Sequence, residues 1–489
     1  MCTSNYRPEI DGLRGIAVIL VILFHADLGL TGGFVGVDVF FVVSGYLITQ
    51  IIQQEIASTG KLSLKRFWRR RICRIAPAAL LMVFIVVVGA IFVATSREDI
   101  SDTLLAALTQ PFGLANFYFW QTTDYFSRPA ELRPLLHTWS LAVEEQFYIF
   151  YPLLLVSMRT LPRPVRSLAL ATLGAVSLAL SESILWYYPS ASFFLMPFRI
   201  WELLVGAFLA HQMPLAPFHR KVSELLSAVG LGMIAWSAYT LSNQSLFPGL
   251  QALIPCLGAA AFIAANTGHL SSSGRLLGSR MLVAIGLVSY SLYLVHWPVL
   301  VALRHMVDGG PSVLTRVGAL IACGVLSHLS WKYVEQPARN ASPNFSFRRA
   351  VCYYSIATGC LLTVILSAHL ISERLSYKPL NMATRLSGSR HSNTVSRIRL
   401  PDFGRIIGMS NEGEEISFVL WGDSHARAIG RLCDELATEH GLSGAELGRP
   451  GFVPLAVAHD WWTPEGFLRF LSGDFHVREN EASTSFIQC

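Results

Sequence analysis

The sequence predicts a polytopic α-helical membrane protein of about eleven transmembrane helices followed by a partial α/β domain. Three observations lead there. Of 489 residues, 52% are hydrophobic and only 14% charged, against about 25% charged in a soluble protein. Apolar runs recur along the chain at the ~20-residue length that crosses a bilayer. After about residue 373 the composition turns polar, and a β-like run, a tight turn and a helical pattern follow one another.

Twelve segments are apolar enough to consider as spans: 12–30, 34–54, 76–95, 101–120, 138–158, 166–185, 193–212, 222–241, 247–266, 283–303, 313–333 and 349–372. The fourth carries Asp102, Gln110, Pro111, Gly113 and Asn116, and a proline removes a backbone donor that lipid cannot replace. Charge supplies an independent test, because basic loops face the cytoplasm. Without the fourth segment, the loops holding Lys61 to Arg74, Arg159 to Arg166, Arg220 and Lys221, Arg275 to Arg280, and Lys332 to Arg349 all fall on one side. Eleven spans are therefore expected, with a cytoplasmic N-terminus, residues 96–137 as a long outer loop dipping into the protein, and the tail on the outer side. The expected divisions are a membrane domain of ten helices over 1–340, an eleventh helix over 341–373, a linker over 374–414 and a partial domain over 415–489.

The formal charge of +6 is gathered in short clusters between apolar runs, which suits lipid-facing loops and argues against nucleic acid as a partner. No small-residue cleavage site follows Leu30, so the first run reads as a retained helix. The eight cysteines show no metal-binding or redox spacing. Only Cys433 and Cys489 lie in the polar tail, and nothing supports a disulfide between them.

Ionisable groups at mid-membrane cost at least about 2.5–3.5 kcal/mol each on insertion scales, so each needs a partner, a water-filled cavity or a function. Arg14 and His25 are eleven residues apart on the first span. That is about three turns, which puts them on one face some 16 Å apart. The plainer reading is a snorkelling arginine and a hydrogen-bonded core histidine. At the outer level the topology also places Asp38, Glu144, Glu145, Arg199, Glu202 and His296. Carboxylates and histidines at one depth can transfer protons, or simply tie helices together, as Arg199 and Glu202 would at i and i+3. In FWRRRICRIAP, Arg71 and Arg74 stand one turn apart and can face one anion, although a basic loop alone accounts for them.

In the tail, Ser424 follows the run ISFVLW and precedes ARAIGRLCDELATEHG, with Gly441 at a C-cap position. A serine where strand meets helix exposes its hydroxyl and lends its N–H to an oxyanion. No G-x-S-x-G, Walker A or H-E-x-x-H pattern occurs.

Six blocks, YRPEIDGLRGIAVILVILFHADLG, GGFVGVDVFFVVSGYLIT, FWRRRICRIAP, HTWSLAVEEQFYIFYP, SYSLYLVHWP and WKYVEQPAR, resemble in order the acyltransferase-3 family of membrane O-acyltransferases. The tail around WGDSHA resembles the SGNH hydrolase-like domain fused to many bacterial members. The resemblance implies transfer of an acyl group, commonly acetyl, from acyl-CoA as donor substrate, with no permanently bound cofactor and no metal. The acceptor would be a hydroxyl of a cell-envelope polysaccharide such as lipopolysaccharide O-antigen, at the bacterial inner membrane, with the tail periplasmic. Carried over residue by residue, His25 is the essential histidine with Arg14 its partner. Arg71 and Arg74 contact CoA phosphates, Glu144 is the acidic position, and Asp38 and His296 belong to donor or substrate binding. His25, oriented by Glu144 or Asp38, would act as general base or carry a transient acyl group.

The tail departs from the SGNH pattern. Ser424 is present and Gly451 is available for a second block, but no asparagine block or late Asp-x-x-His follows, and Asp474-Phe475-His476 has the wrong spacing. About 70 residues from the turn onward are few for an α/β domain. A truncated domain with an inactive Ser424 is the expectation, since a serine without its base is a poor nucleophile. A polar or glycan transporter is the rival reading, although no inverted repeat is visible. A tethered esterase would need the missing base.

Overall fold

The computed structural model describes residues 6–93, 97–123, 130–212, 218–307 and 311–374, and in the tail 404–408, 418–422, 434, 443–448 and 487–488. The chain divides into two units, Met1–Tyr377 and Lys378–Cys489. The first is helical. In chain order its helices are α1 (Pro8–His25), α2 (Gly36–Thr59), α3 (Leu64–Val93), α4 (Arg97–Thr109), α5 (Ala115–Thr122), α6 (Thr138–Ser157), α7 (Arg163–Leu185) and α8 (Pro189–Phe194). Then come α9 (Met196–Gln212), α10 (Arg220–Thr240), α11 (Leu253–Ala265), α12 (Ser272–Leu277), α13 (Arg280–Met306), α14 (Val313–Ser330), α15 (Gln336–Ala341) and α16 (Phe347–Arg374).

Local chemistry sets several ends. Proline opens α1, with Glu9 and Asp11 in its first turn and His25 in its last, charges that suit the helix dipole. Gly60, at φ 74°, closes α2 in the left-handed conformation that glycine adopts without strain. Ser271 and Ser312 cap α12 and α14 by accepting from the N–H groups of Gly274 and Thr315.

Eight helical segments are long and apolar enough to cross a membrane: Gly33–Thr59, Leu64–Val93, Arg163–Leu185, Pro189–Gln212, Arg220–Thr240, Arg280–Met306, Val313–Asn344 and Phe347–Glu373. The chain is a multi-pass membrane protein. Apart from the fourth segment, every predicted span falls on a helix. Length and apolarity alone do not bring the number to eleven, for three local reasons. Glu9, Asp11 and Arg14 charge the short α1. Glu144, Glu145 and Gln146 lower the apolarity of α6. α11 has only 13 residues.

The fourth segment is broken into α4, a 3-10 turn at Gln110–Phe112 and α5. Most of its polar groups are answered by protein, although Gln110 Oε1 is enclosed without a hydrogen-bond partner among the described residues. Asp102 pairs with Arg133 at 2.6 Å, the fully buried Asn116 donates to the Phe194 carbonyl, and Gln146 donates to the Gly113 carbonyl.

Where helices carry the site, they meet backbone to backbone. A Cβ on Gly12 would stand 1.9 Å from the Leu277 carbonyl oxygen, and one on Gly286 would stand 1.8 Å from that of Asp11. The same holds between α2 and α9, where Gly45 faces the Leu203 oxygen at 1.8 Å and Gly206 faces that of Val42 at 1.9 Å. Small residues at such crossings give membrane helices their close packing, because lipid offers no hydrophobic drive to associate. Large side chains point outward instead, among them Leu168 and Val176 on α7, Leu314 and Ile321 on α14, and Tyr353 and Leu366 on α16.

In the second unit, β1 (Gly404–Gly408), β2 (Phe418–Gly422), β3 (Ser443–Gly448) and β4 (Ile487–Gln488) form a sheet of order β1-β3-β2-β4. β2 pairs in parallel with β3 and β4, and β1 runs antiparallel to β3. The described part of the predicted run, 418–421, falls on β2. Of the helix expected after it, only Asp434 is among the described residues, and it is helical.

Candidate functional site

Five helices bring polar side chains to one cavity of about 110 Å³. From α1 comes Arg14, which bonds Asp11 on its own helix at 2.9 Å and donates to Ser289 Oγ of α13 at 2.8 Å. Arg71 and Arg74 of α3 line the same cavity, and the Arg71 guanidinium lies over the rings of Phe67 and Tyr148. α6 supplies Glu144 and, one turn on, Tyr148, whose hydroxyl donates to Glu144 Oε2 at 2.7 Å and meets Ser44 Oγ of α2 at 2.6 Å. α13 adds Tyr290 and Tyr293.

Two hydrogen bonds hold these walls in register. Tyr290 Oη donates to the Ile75 carbonyl at 2.7 Å, and Trp68 Nε1 donates to the Tyr148 carbonyl at 3.0 Å. The remaining arginines of the basic block are otherwise engaged. Arg70 pairs with Glu55 at 2.7 Å, and Arg69 donates to the Phe345 carbonyl. Among the described residues no carboxylate forms an ion pair with Arg71 or Arg74, and Arg71 Nε is enclosed without a partner. Positive charge in an enclosed cavity favours an anion there.

A second cluster adjoins the first through Tyr293. Its hydroxyl donates to the His137 carbonyl at 2.9 Å, and its ring lies 5.4 Å from that of His296. His296 Nε2 lies 3.0 Å from His25 Nδ1. The His25 ring also meets the Trp297 ring at 4.4 Å, and the His25 carbonyl accepts from Arg304 at 2.6 Å. The side-chain partner of His25 is therefore His296, not the Asp38 or Glu144 expected from sequence.

Asp38 is elsewhere for a packing reason: α2 runs against α9, so it meets Arg199 at 3.1 Å. Arg199 also pairs with Glu202 at 3.0 Å, and all three side chains are almost wholly enclosed. Cys256 completes a group whose donor atoms lie within 4.8 Å of one another, but the Arg199 guanidinium already supplies the cation there. Glu144, expected at the depth of His25, shares its cavity with Arg14, Arg71 and Arg74 instead. Ser424 and Gly451 lie outside the described residues.

Sequence reading passed over His137, Tyr148, Ser289 and Tyr293. Helical spacing could have found two of them, since Tyr148 stands at i+4 from Glu144 and Tyr293 at i−3 from His296. Ser289 has no signal in one sequence, because only the crossing of α1 and α13 brings it to Arg14.

Comparison with known proteins decides the class. A family model described as an acyltransferase domain, of the acyltransferase-3 type, matches residues 7–331. The chain belongs to this acyltransferase family. A second model, described as an SGNH domain fused to such domains, matches residues 393–480. Among relatives of the family, the O-acetyltransferase OatA of Staphylococcus aureus strain NCTC 8325 is 33% identical over 356 residues, covering 69% of this chain and 58% of the relative. A putative peptidoglycan O-acetyltransferase of Bacillus subtilis, YrhL, is 33% identical over 369 residues, covering 72% and 58%. The chain thus spans 58% of the length of these relatives. No solved structure matches it.

Proposed function

We propose that the chain is a membrane O-acyltransferase that moves an acyl group, acetyl first among them, from acyl-CoA to a hydroxyl of a cell-envelope polysaccharide. The observation that carries this reading is the convergence of Arg14, Arg71 and Arg74 on one cavity, two of them without an ion-pair partner among the described residues, beside the His25–His296 pair. Guanidinium groups recognise phosphate in bidentate fashion.

In this mechanism the acceptor oxygen attacks the thioester carbon as His25 takes its proton. The carbon–sulfur bond breaks, the thiolate leaves and recovers the proton, and the products are an ester and free CoA. Holding donor and acceptor together supplies much of the rate. The topology proposed with it has eleven spans, a cytoplasmic N-terminus at the inner membrane and a tail on the far side. Arg71 and Arg74 then face the compartment that holds the donor. The Bacillus relative is named a putative peptidoglycan O-acetyltransferase, and an O-antigen hydroxyl presents the same chemistry.

Calorimetry of detergent-purified protein with acetyl-CoA tests the reading, comparing wild type with an Arg71→Ala/Arg74→Ala variant, alongside transfer of labelled acetyl to envelope glycan by wild type and His25→Ala. Saturable binding lost in the double variant and transfer lost in His25→Ala are expected. Absence of binding by folded wild type, or normal transfer by His25→Ala at equal protein level, would refute it.

A further inference from the structure

We propose that His296 is the positioning residue that sets the tautomer of His25, leaving His25 Nε2 as the base nitrogen; this rests on the acyl-transfer reading above. Three hydrogen-bonding groups, the Leu292 carbonyl, His296 and His25, form a chain. His296 Nδ1 lies 3.2 Å from the carbonyl oxygen of Leu292, one turn earlier on α13. A carbonyl oxygen only accepts, so the proton of that bond sits on His296 Nδ1. In a neutral imidazole the other nitrogen then carries a lone pair, so His296 Nε2 is an acceptor. It lies 3.0 Å from His25 Nδ1, which must therefore be the donor. His25 is fixed as the Nδ1–H form, and its Nε2 is left with an unshared pair.

The ring geometry agrees. The two imidazoles have centroids 5.2 Å apart and planes within 15°. Face-to-face rings in contact would lie about 3.5–4.0 Å apart, so the 3.0 Å bond runs nearly in the plane of both rings, where the lone pair points. Among the described residues His25 Nε2 has no hydrogen-bond partner, and both ring nitrogens of His137 are enclosed and unpartnered. His137, 5.8 Å from His296 by centroid, thus does not compete for its Nε2. Trp297 and Arg304, also on α13, contact the His25 ring and its backbone carbonyl.

During transfer the acceptor hydroxyl proton passes to His25 Nε2. The resulting imidazolium keeps its Nδ1–H bond to His296, and the proton then leaves with the CoA thiolate. His296 neither gains nor loses a proton. It plays the part that the carboxylate plays in a hydrolase triad, accepting the Nδ1–H bond and so holding tautomer and orientation, with a neutral ring fixed by a backbone carbonyl.

The test is nitrogen-15 NMR of histidine-labelled protein in nanodiscs, assigned with His25→Ala, together with transfer kinetics for His296→Gln and His296→Leu. Glutamine keeps a carbonyl acceptor toward His25 and leucine has none. Wild type and His296→Gln should show His25 in the Nδ1–H form. His296→Leu should lose that form and fall about 100-fold or more in kcat, the lower end of general-base effects, with KM for acetyl-CoA little changed and His296→Gln restoring much of the rate. An Nε2–H signal for His25 in wild type, or full activity in His296→Leu, would overturn the assignment. Should His25→Ala transfer acetyl normally, the acyl-transfer reading fails and the positioning role with it, and the NMR signal then reports only the tautomer.

Discussion

Gly286→Ala asks the most of the helix crossing that builds the site. The added Cβ would stand 1.8 Å from the Asp11 carbonyl oxygen, whereas real Cβ contacts essentially never fall below 3.0 Å. That oxygen is helical backbone and cannot swing aside, so α1 and α13 must part by at least about 1.2 Å, the difference of those two distances. Ser289 lies one turn from Gly286. Adding the displacement to the 2.8 Å Arg14–Ser289 bond gives about 4.0 Å, outside hydrogen-bond range. Overpacking of this kind costs ~1–3 kcal/mol and the lost bond ~0.5–1.5 kcal/mol.

A clear drop in melting temperature and weaker acetyl-CoA binding are therefore expected of Gly286→Ala in detergent. Gly324→Ala on α14 is the control, because its Cβ meets nothing within 4 Å, and alanine in a helix interior is favoured over glycine by ~0.5–1 kcal/mol. If both variants melt and bind alike, the crossing is not held by that glycine contact, and it is not what brings Arg14 to the cavity.

Arg199→Met leaves Asp38 and Glu202 enclosed without their cation, a change expected to cost ~3–5 kcal/mol. Adding Asp38→Asn and Glu202→Gln should return much of it in a denaturation series, and a single variant as stable as wild type would count against the network. Arg133→Met removes the ion pair to Asp102 and the bond to the Thr122 carbonyl; hydrogen exchange over residues 97–123 should accelerate, while exchange in α7 and α10 stays as it was. Alanine at either Arg71 or Arg74 alone should weaken acetyl-CoA binding about tenfold or more, from ~1.5–3 kcal/mol per charge-assisted bond, and unchanged isotherms would remove the donor from this cavity.

Much was legible because membrane spans are read locally. Apolar runs of the right length predict helices, and the charge-poor composition predicts the solvent. Asp102, Pro111 and Asn116 exposed the fourth segment as something other than a span, for the correct reason that lipid cannot satisfy them. Arg71 and Arg74 were legible as a pair one turn apart, and Arg199 with Glu202 likewise, because i to i+3 and i+4 neighbours share a helix face. The same rule did not rank these pairs. Only the structure turns Arg70 toward Glu55 and Arg71 and Arg74 toward the cavity.

By itself the sequence determined the solvent of the fold, its helices, the family blocks and the inventory of ionisable groups that need an answer. Tertiary structure alone decided which group answers which. Asp38 goes to Arg199, Arg14 to Ser289 and His25 to His296, partners separated by between 161 and 275 residues along the chain. The reason is physical: a helix fixes its neighbours at 3.6 residues per turn, but a contact between helices depends on where two backbones can approach, and glycines at their crossings set that approach.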